Sequence, residues 1–135
     1  MRGQLNPTTF LRKAEAALTG AQLLLKSGDT DGACSRAYYA MFDAAHAALF
    51  AAGEEDASAP IKTHNGLIAK FGQHLVLTGE LPAKLGEALN AVQRFRQLAD
   101  YTGEAVSAAD ASWAVLQAGE FVKALKENIT LRKGH

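Results

Sequence analysis

Apolar side chains recur every three or four residues along most of the chain, which is the spacing of an amphipathic helix. Helix-forming residues dominate the sequence and β-branched residues are sparse, so we expect an all-α fold. The first apolar stripe consists of Leu11, Ala14, Leu18, Ala21 and Leu25. Breaks in the pattern near glycine and proline predict five helices. Their expected ranges are about 7–26, 30–52, 60–78, 82–101 and 107–128.

The second predicted helix is apolar around most of its circumference. One of its stripes holds only alanines, and small side chains let a neighbouring helix approach closely. We therefore expect this helix to be the central one of an up-and-down antiparallel four-helix bundle, with one additional helix. The chain is predicted to form a single helical domain over residues 1–135, with a frayed tail at about 130–135.

The charge balance narrows the possible functions. Lysine and arginine number 14, aspartate and glutamate also number 14, and the net charge is zero. Proteins that bind nucleic acid through bulk charge usually have a clear basic excess, so only a local basic patch remains possible. Cys34 is the single cysteine, and no Glu-x-x-His or His-x₃-His pair occurs, so we expect no metal and no cofactor.

The sequence also bears on location. No apolar run approaches the roughly 20 residues that a membrane-spanning helix needs. The N-terminus has no charged segment followed by an apolar core, which a signal peptide requires. We therefore expect a cytoplasmic protein that does not associate with membranes.

Residues 94–101 carry the most distinctive group of polar side chains. Arg94 and Tyr101 lie two turns apart on one helix face, and Arg96 and Asp100 form an i,i+4 pair. Arginine and tyrosine together suit contacts to phosphates and bases. The alternative is an exposed ion pair between Arg96 and Asp100, with Arg94 solvated.

Two further segments contain residues that could bind an anion. In the second helix, Arg36 interrupts an apolar stretch that also holds Tyr39 and His46. Lys62 and His64 stand near the start of the third helix, where free backbone N–H groups favour anions. In the alternative interpretation the tyrosine and His46 belong to the bundle core or its rim, and Lys62 is solvated.

These segments together resemble the HEPN domain family, in its branch of small stand-alone bacterial and archaeal proteins. The resemblance covers residues 8–128, nearly the whole chain. The resembling segments are residues 35–42 (SRAYYAMF), 62–68 (KTHNGLI), 71–72 (FG), 96–101 (RQLADY) and 118–122 (AGEFV). The resemblance implies a helical bundle that forms a homodimer. It also implies a minimal nucleotidyltransferase as partner in a toxin–antitoxin-type system.

In active HEPN members the resemblance implies a metal-independent RNase, whose hallmark is an arginine followed after four to six residues by a histidine. The nucleotidyltransferase can silence such a member by adding AMP to a nearby tyrosine. Here Tyr101 stands where that histidine is expected, counted from Arg96 or from Arg94. A phenol has a reference pKa of about 10, against about 6.5 for imidazole, and is a poor general base at neutral pH.

We therefore expect an HEPN module that binds a nucleotide or an RNA phosphate, with catalysis reduced or lost. The expected ligand-binding residues are Arg36, Tyr39, Lys62, His64, Arg94, Arg96, Asp100 and Tyr101. One alternative is a metal-independent endoribonuclease toxin with a rearranged site, whose catalytic residues are Arg96, Tyr101 and His64. The other alternative is a structural dimerisation partner without a ligand.

Overall fold

Five α-helices make up most of the chain that the structure describes. The computed structural model describes residues 6–55 and 61–133. No β-strand occurs within these two ranges, so the predicted all-α fold is confirmed. No helix in them is both long and apolar enough to cross a bilayer. The helices are α1 (Pro7–Ser27), α2 (Thr30–Ala51), α3 (His64–Phe71), α4 (Ala83–Thr102) and α5 (Ala108–Lys133), with a π-helical turn at Gly72–Val76 after α3.

A tight turn joins α1 to α2. Gly28 ends α1 with a φ of 89°, in the left-handed region that favours glycine. Asp29 then caps α2, because its carboxylate accepts a hydrogen bond from the backbone N–H of Gly32 at 2.8 Å. Since this connection is so short, α1 and α2 pack against each other as an antiparallel pair.

Helix α2 is the centre of the bundle, as its apolar circumference predicts. It contacts each of α1, α3, α4 and α5. The long helices α1, α2, α4 and α5 form the bundle, and the short α3 is the additional helix. The buried residues of α2 are Ala33, Cys34, Ala37, Tyr38, Ala40, Met41, Ala44, Ala45, His46, Ala47, Ala48 and Leu49.

The third helix begins later than the sequence pattern predicts. The predicted start near Pro60 lies outside the described residues, and α3 itself begins at His64. Thr63 is the cap, because its hydroxyl accepts a hydrogen bond from the backbone N–H of Gly66 at 2.9 Å. The cap therefore fixes His64 as the first residue of the helix.

Helix α5 continues through residues 130–133, where the sequence predicts a frayed tail. Two nitrogens of the Arg132 guanidinium donate hydrogen bonds to the Glu80 carboxylate, and Nδ2 of Asn128 donates a third. These bonds hold the pKa of Glu80 below its ordinary value, with the Arg132 hydrogen bonds as the main cause and Asn128 adding to them. Ile129 is also buried, so the last turns of α5 are held by packing and by charge.

Candidate functional site

Arg96 lies against two tyrosines of α2. Its guanidinium carbon is 4.8 Å from the Tyr38 ring centroid and 5.8 Å from the Tyr39 ring centroid, within the range of cation–π attraction. The side chain of Arg96 is 20% exposed and that of Asp100 is 73% exposed, so the arginine is largely covered whereas its acidic partner lies at the surface. Nη1 of Arg96 is 3.6 Å from Oδ2 of Asp100, and its buried Nε has no acceptor among the described residues.

His64 contacts the same tyrosine from the start of α3. Its Nδ1 is 2.8 Å from the Tyr38 hydroxyl. The His64 ring stacks on the rings of Tyr38 and Phe42, with centroid separations of 5.5 and 4.6 Å. The hydrogen bond occupies Nδ1, and no described residue forms a hydrogen bond with Nε2. We call the group of Arg96, Tyr38, Tyr39, Phe42 and His64 the Arg96 cluster.

The protonation states in the Arg96 cluster follow from burial and from the arginine charge. Burial raises the pKa of Tyr38 to about 12, although the charge of Arg96 opposes this shift. Burial lowers the pKa of His64, and the Arg96 charge lowers it further. At neutral pH, Tyr38 therefore keeps its proton and can donate it to Nδ1 of a neutral His64 imidazole.

Helical spacing explains how α2 supplies one wall of the cluster. Tyr38 and Phe42 are four residues apart, so their rings project from the same face, and Tyr39 flanks them. The three rings contact one another in tilted or edge-to-face arrangements. Arg96 then reaches this wall from α4 and His64 reaches it from α3.

The structure brings only some of the predicted site residues together. Arg96, His64 and Tyr39 meet in the Arg96 cluster, and Asp100 lies at its edge. Tyr101, by contrast, is 90% exposed. Arg36, Lys62 and Arg94 are also exposed, and within the described residues none of the four has an ion pair or a ring contact.

Tyr38 and Phe42 belong to the cluster, although neither is among the expected ligand-binding residues. Tyr38 is fully buried, and that burial agrees with a packing role. Its hydroxyl nevertheless contacts His64, which lies 26 residues away along the chain. The available sequence signal was the i,i+4 spacing of Tyr38 and Phe42 in a helix that also carries Tyr39.

A second histidine lies beside the cluster in a more buried setting. His46 Nδ1 is 2.8 Å from Oε1 of Glu55, and both side chains are buried. The other oxygen of Glu55 accepts a hydrogen bond from the backbone N–H of Ile61 at 2.7 Å. The His46 ring stacks on Phe10 with a centroid separation of 4.7 Å and meets the edge of Phe42 at 4.8 Å. His46 therefore connects α2 to Phe10 of α1 and to Glu55, and Glu55 in turn binds the backbone of Ile61.

Comparison with known proteins finds a matching family and several similar sequences. A model of the HEPN domain matches residues 8–129. A UPF0332 protein of Gloeobacter violaceus is 36% identical over 120 residues, which cover 87% of this chain and 91% of that protein. A Methanocaldococcus jannaschii protein with the name "Putative toxin" is 32% identical over 118 residues, which cover 84% of each chain. A second protein of that name from the same organism is 34% identical over 92 residues, covering 68% of this chain and 59% of the relative.

Proposed function

This chain belongs to the HEPN domain family, and on that premise we propose that it is a toxin–antitoxin-type module that binds the phosphate of RNA or of a nucleotide. The toxin names of two relatives support the first part of the proposal. One observation carries the second part. The Arg96 guanidinium rests on Tyr38 beside His64. Among the described residues, its carboxylate contact is a 3.6 Å ion pair with the exposed Asp100, and its buried Nε has no acceptor.

Arginine in this setting suits a phosphate. Its planar guanidinium can donate two parallel hydrogen bonds to phosphate oxygens, and partial burial strengthens them. The stacking on Tyr38 reduces the number of rotamers that Arg96 can adopt, so less entropy is lost when the anion binds. Because the net charge of the chain is zero, we attribute binding to this local group rather than to a basic surface.

Cleavage of the bound RNA is expected to be slow or absent. Metal-independent cleavage needs one group to deprotonate the 2′-hydroxyl and another to protonate the leaving oxygen. Tyr101 takes the place of the family's histidine, and its phenol is a weak base in a highly exposed position. The chain is therefore proposed to bind without efficient turnover.

A metal-independent endoribonuclease is the second candidate, and one observation favours it. Burial and the Arg96 charge lower the pKa of His64, so its imidazole is neutral at pH 7. In the tautomer whose Nδ1–H donates to the Tyr38 hydroxyl, the lone pair of Nε2 is free to accept a proton. His64 and Arg96 also contact the same Tyr38 ring, which brings a base and a phosphate-binding cation to one place. In this candidate His64 replaces the missing histidine.

The proposal includes two partners. We expect a cytoplasmic homodimer that works with a minimal nucleotidyltransferase, as the family resemblance implies. Exposed apolar side chains on α4 and α5 give a dimer contact some support, since Leu98, Trp113 and Leu116 are 53%, 39% and 58% exposed. Sedimentation should then give twice the chain mass of 14.3 kDa, and a monomer at all concentrations would contradict the dimer.

The binding proposal is tested by two arginines of α4 with different settings. Arg96→Ala should weaken the binding of a fluorescent single-stranded RNA at least about tenfold, which is about 1.4 kcal/mol. Arg94→Ala removes the same charge from an exposed position and should change the affinity far less. Fluorescence anisotropy measures both. Equal losses for the two variants would show that binding depends on charge alone and would contradict a site at Arg96.

The two candidate functions are separated by cleavage in EDTA at pH about 6 to 9. The unaltered protein should leave total RNA intact. Tyr101→His should create or raise RNase activity if the imidazole is the only group that is missing. Rapid cleavage by the unaltered protein that disappears in His64→Ala would instead establish the endoribonuclease with His64 as the base.

A further inference from the structure

A groove between α1 and α2 lies next to the Arg96 cluster. Its volume is about 530 Å³, which falls within the range of small-molecule sites. Charged side chains and aromatic rings line it together, and this combination distinguishes it from a purely apolar cleft. The lining residues are Lys13, Ala16, Ala17, Arg36, Tyr39, Phe42 and Asp43.

The groove and the Arg96 cluster share a wall. Tyr39 lines the groove and is 5.8 Å from the guanidinium carbon of Arg96. Phe42 also lines the groove, and its ring stacks on His64 at 4.6 Å. A ligand with repeating units could therefore place one unit on each side of these two rings.

The charges around the groove suit a ligand with both a phosphate and N–H donors. Lys13 and Arg36 supply two cations, and Asp43 supplies a half-buried carboxylate. Burial raises the pKa of Asp43, while the charges of Lys13 and His46 oppose the shift. No described residue donates a hydrogen bond to this carboxylate, so a ligand could supply the donor.

Arg36 is held close to the surface of α1 by a glycine. A Cβ atom added at Gly20 would lie 3.3 Å from Nε of Arg36 and 3.7 Å from Nη2. The absence of a side chain at Gly20 thus lets the guanidinium lie across α1 at the side of the groove.

We propose that the groove is a second nucleotide subsite, which takes the unit of a single-stranded RNA next to the phosphate bound at the Arg96 cluster. This inference rests on the proposed function. The unpaired base stacks on Tyr39, as bases do on aromatic side chains in single-strand sites. Lys13 and Arg36 bind the neighbouring phosphate. Asp43 accepts a hydrogen bond from the amino group of the base.

The Asp43 carboxylate should make the subsite prefer one nucleobase over another. Cytosine presents an exocyclic amino group, which an aspartate can accept from. Uracil has one ring N–H between two carbonyl oxygens, and these oxygens repel a carboxylate. The two pyrimidines have similar size, so a difference between their binding affinities reports on the contact to Asp43.

The test compares short fluorescent oligo(C) and oligo(U) strands by anisotropy. The unaltered protein should bind oligo(C) about fivefold or more tightly than oligo(U), since one good base contact is worth that much. Asp43→Ala should remove the preference, because oligo(C) loses its acceptor and oligo(U) is freed from the repulsion. Arg36→Gln removes one of the two cations and should weaken both strands severalfold, and a circular dichroism melt would show that the bundle is still folded.

The affinities of the Arg96 and Asp43 variants distinguish a failure of the second subsite from a failure of the phosphate site. If Arg96→Ala weakens both strands but Asp43→Ala leaves their ratio unchanged, the second subsite is refuted and the phosphate site stands. Unchanged binding in Arg36→Gln would likewise contradict a role for Arg36 in the groove. If Arg96→Ala binds both strands like the unaltered protein, the proposed function fails and the subsite fails with it.

Discussion

Two histidines contact the ring of Phe42 in different settings. His46 is 6% exposed, and its Nδ1 is bonded to the buried carboxylate of Glu55 at 2.8 Å. His64 is only partly buried, and its Nδ1 meets the Tyr38 hydroxyl at the same distance of 2.8 Å. One histidine thus has an acidic partner inside the core, whereas the other has a neutral partner and an arginine nearby.

The difference indicates which histidine stabilises the fold and which is available to a ligand. Both oxygens of Glu55 are used, one by His46 and one by the backbone of Ile61, so this group has little capacity left for another molecule. In the Arg96 cluster, the buried Nε of the guanidinium has no acceptor among the described residues, and Nη1 has only a 3.6 Å ion pair with the exposed Asp100. Two groups therefore meet at Phe42. We call His46 with Glu55 the structural half and the Arg96 cluster the binding half.

The largest expected effect comes from breaking the structural half. Glu55→Ala leaves His46 and the N–H of Ile61 without their acceptor, and should lower the free energy of unfolding by about 3 kcal/mol. Glu54→Ala is the matched control, since Glu54 is more exposed and its oxygen is 3.4 Å from His74. That control should cost less than about 0.5 kcal/mol. Urea unfolding measures both free energies, and equal losses of stability in the two variants would contradict a structural role for Glu55.

A smaller loss of stability is expected in the binding half. Arg96→Ala removes the stacking on Tyr38 and Tyr39 and should lower the free energy of unfolding by about 1 kcal/mol. Arg94→Ala changes an exposed residue of the same helix and should cost less than about 0.5 kcal/mol. A loss for Arg96→Ala as large as that for Glu55→Ala would mean that the Arg96 cluster is mainly a structural element.

The smallest expected effect is a pH dependence from His64. The unfolded chain takes up this proton near the ordinary histidine pKa of about 6.5, whereas folded His64 takes it up at lower pH. Acidification through this window favours the unfolded state, so the free energy of unfolding rises with pH there. His64→Gln should show a weaker rise than the unaltered protein in urea unfolding at several pH values. Identical slopes would contradict the lowered pKa.

Much of the fold follows from local sequence signals, because caps and apolar periodicity are local. Gly28 ends α1 and Gly103 ends α4 with positive φ, close to the predicted boundaries. The contacts at the end of α5 were not predicted, since the hydrogen bond between Arg132 and Glu80 joins residues that are 52 apart along the chain. A pairing over that distance leaves no trace in a helical pattern.

The candidate site was only partly predictable for the same reason. Arg96, His64 and Tyr39 were selected as polar or aromatic residues in unusual places, and the structure places them together. Tyr38 was not among the expected ligand-binding residues, because the sequence of α2 cannot distinguish a tyrosine that only packs from one that also bonds to His64. Whether Tyr101, Arg94, Arg36 and Lys62 bind a ligand stays a prediction.

We expect a bound RNA to reach His64 and not His46, although both histidines contact Phe42. Side-chain ¹H–¹⁵N correlation spectra of histidine report on both rings in one sample, with His64→Gln used to assign the His64 signals. Adding a short single-stranded RNA should shift the His64 signals progressively, while those of His46 stay in place. Shifts at His46 with none at His64, under conditions in which anisotropy shows binding, would contradict the account.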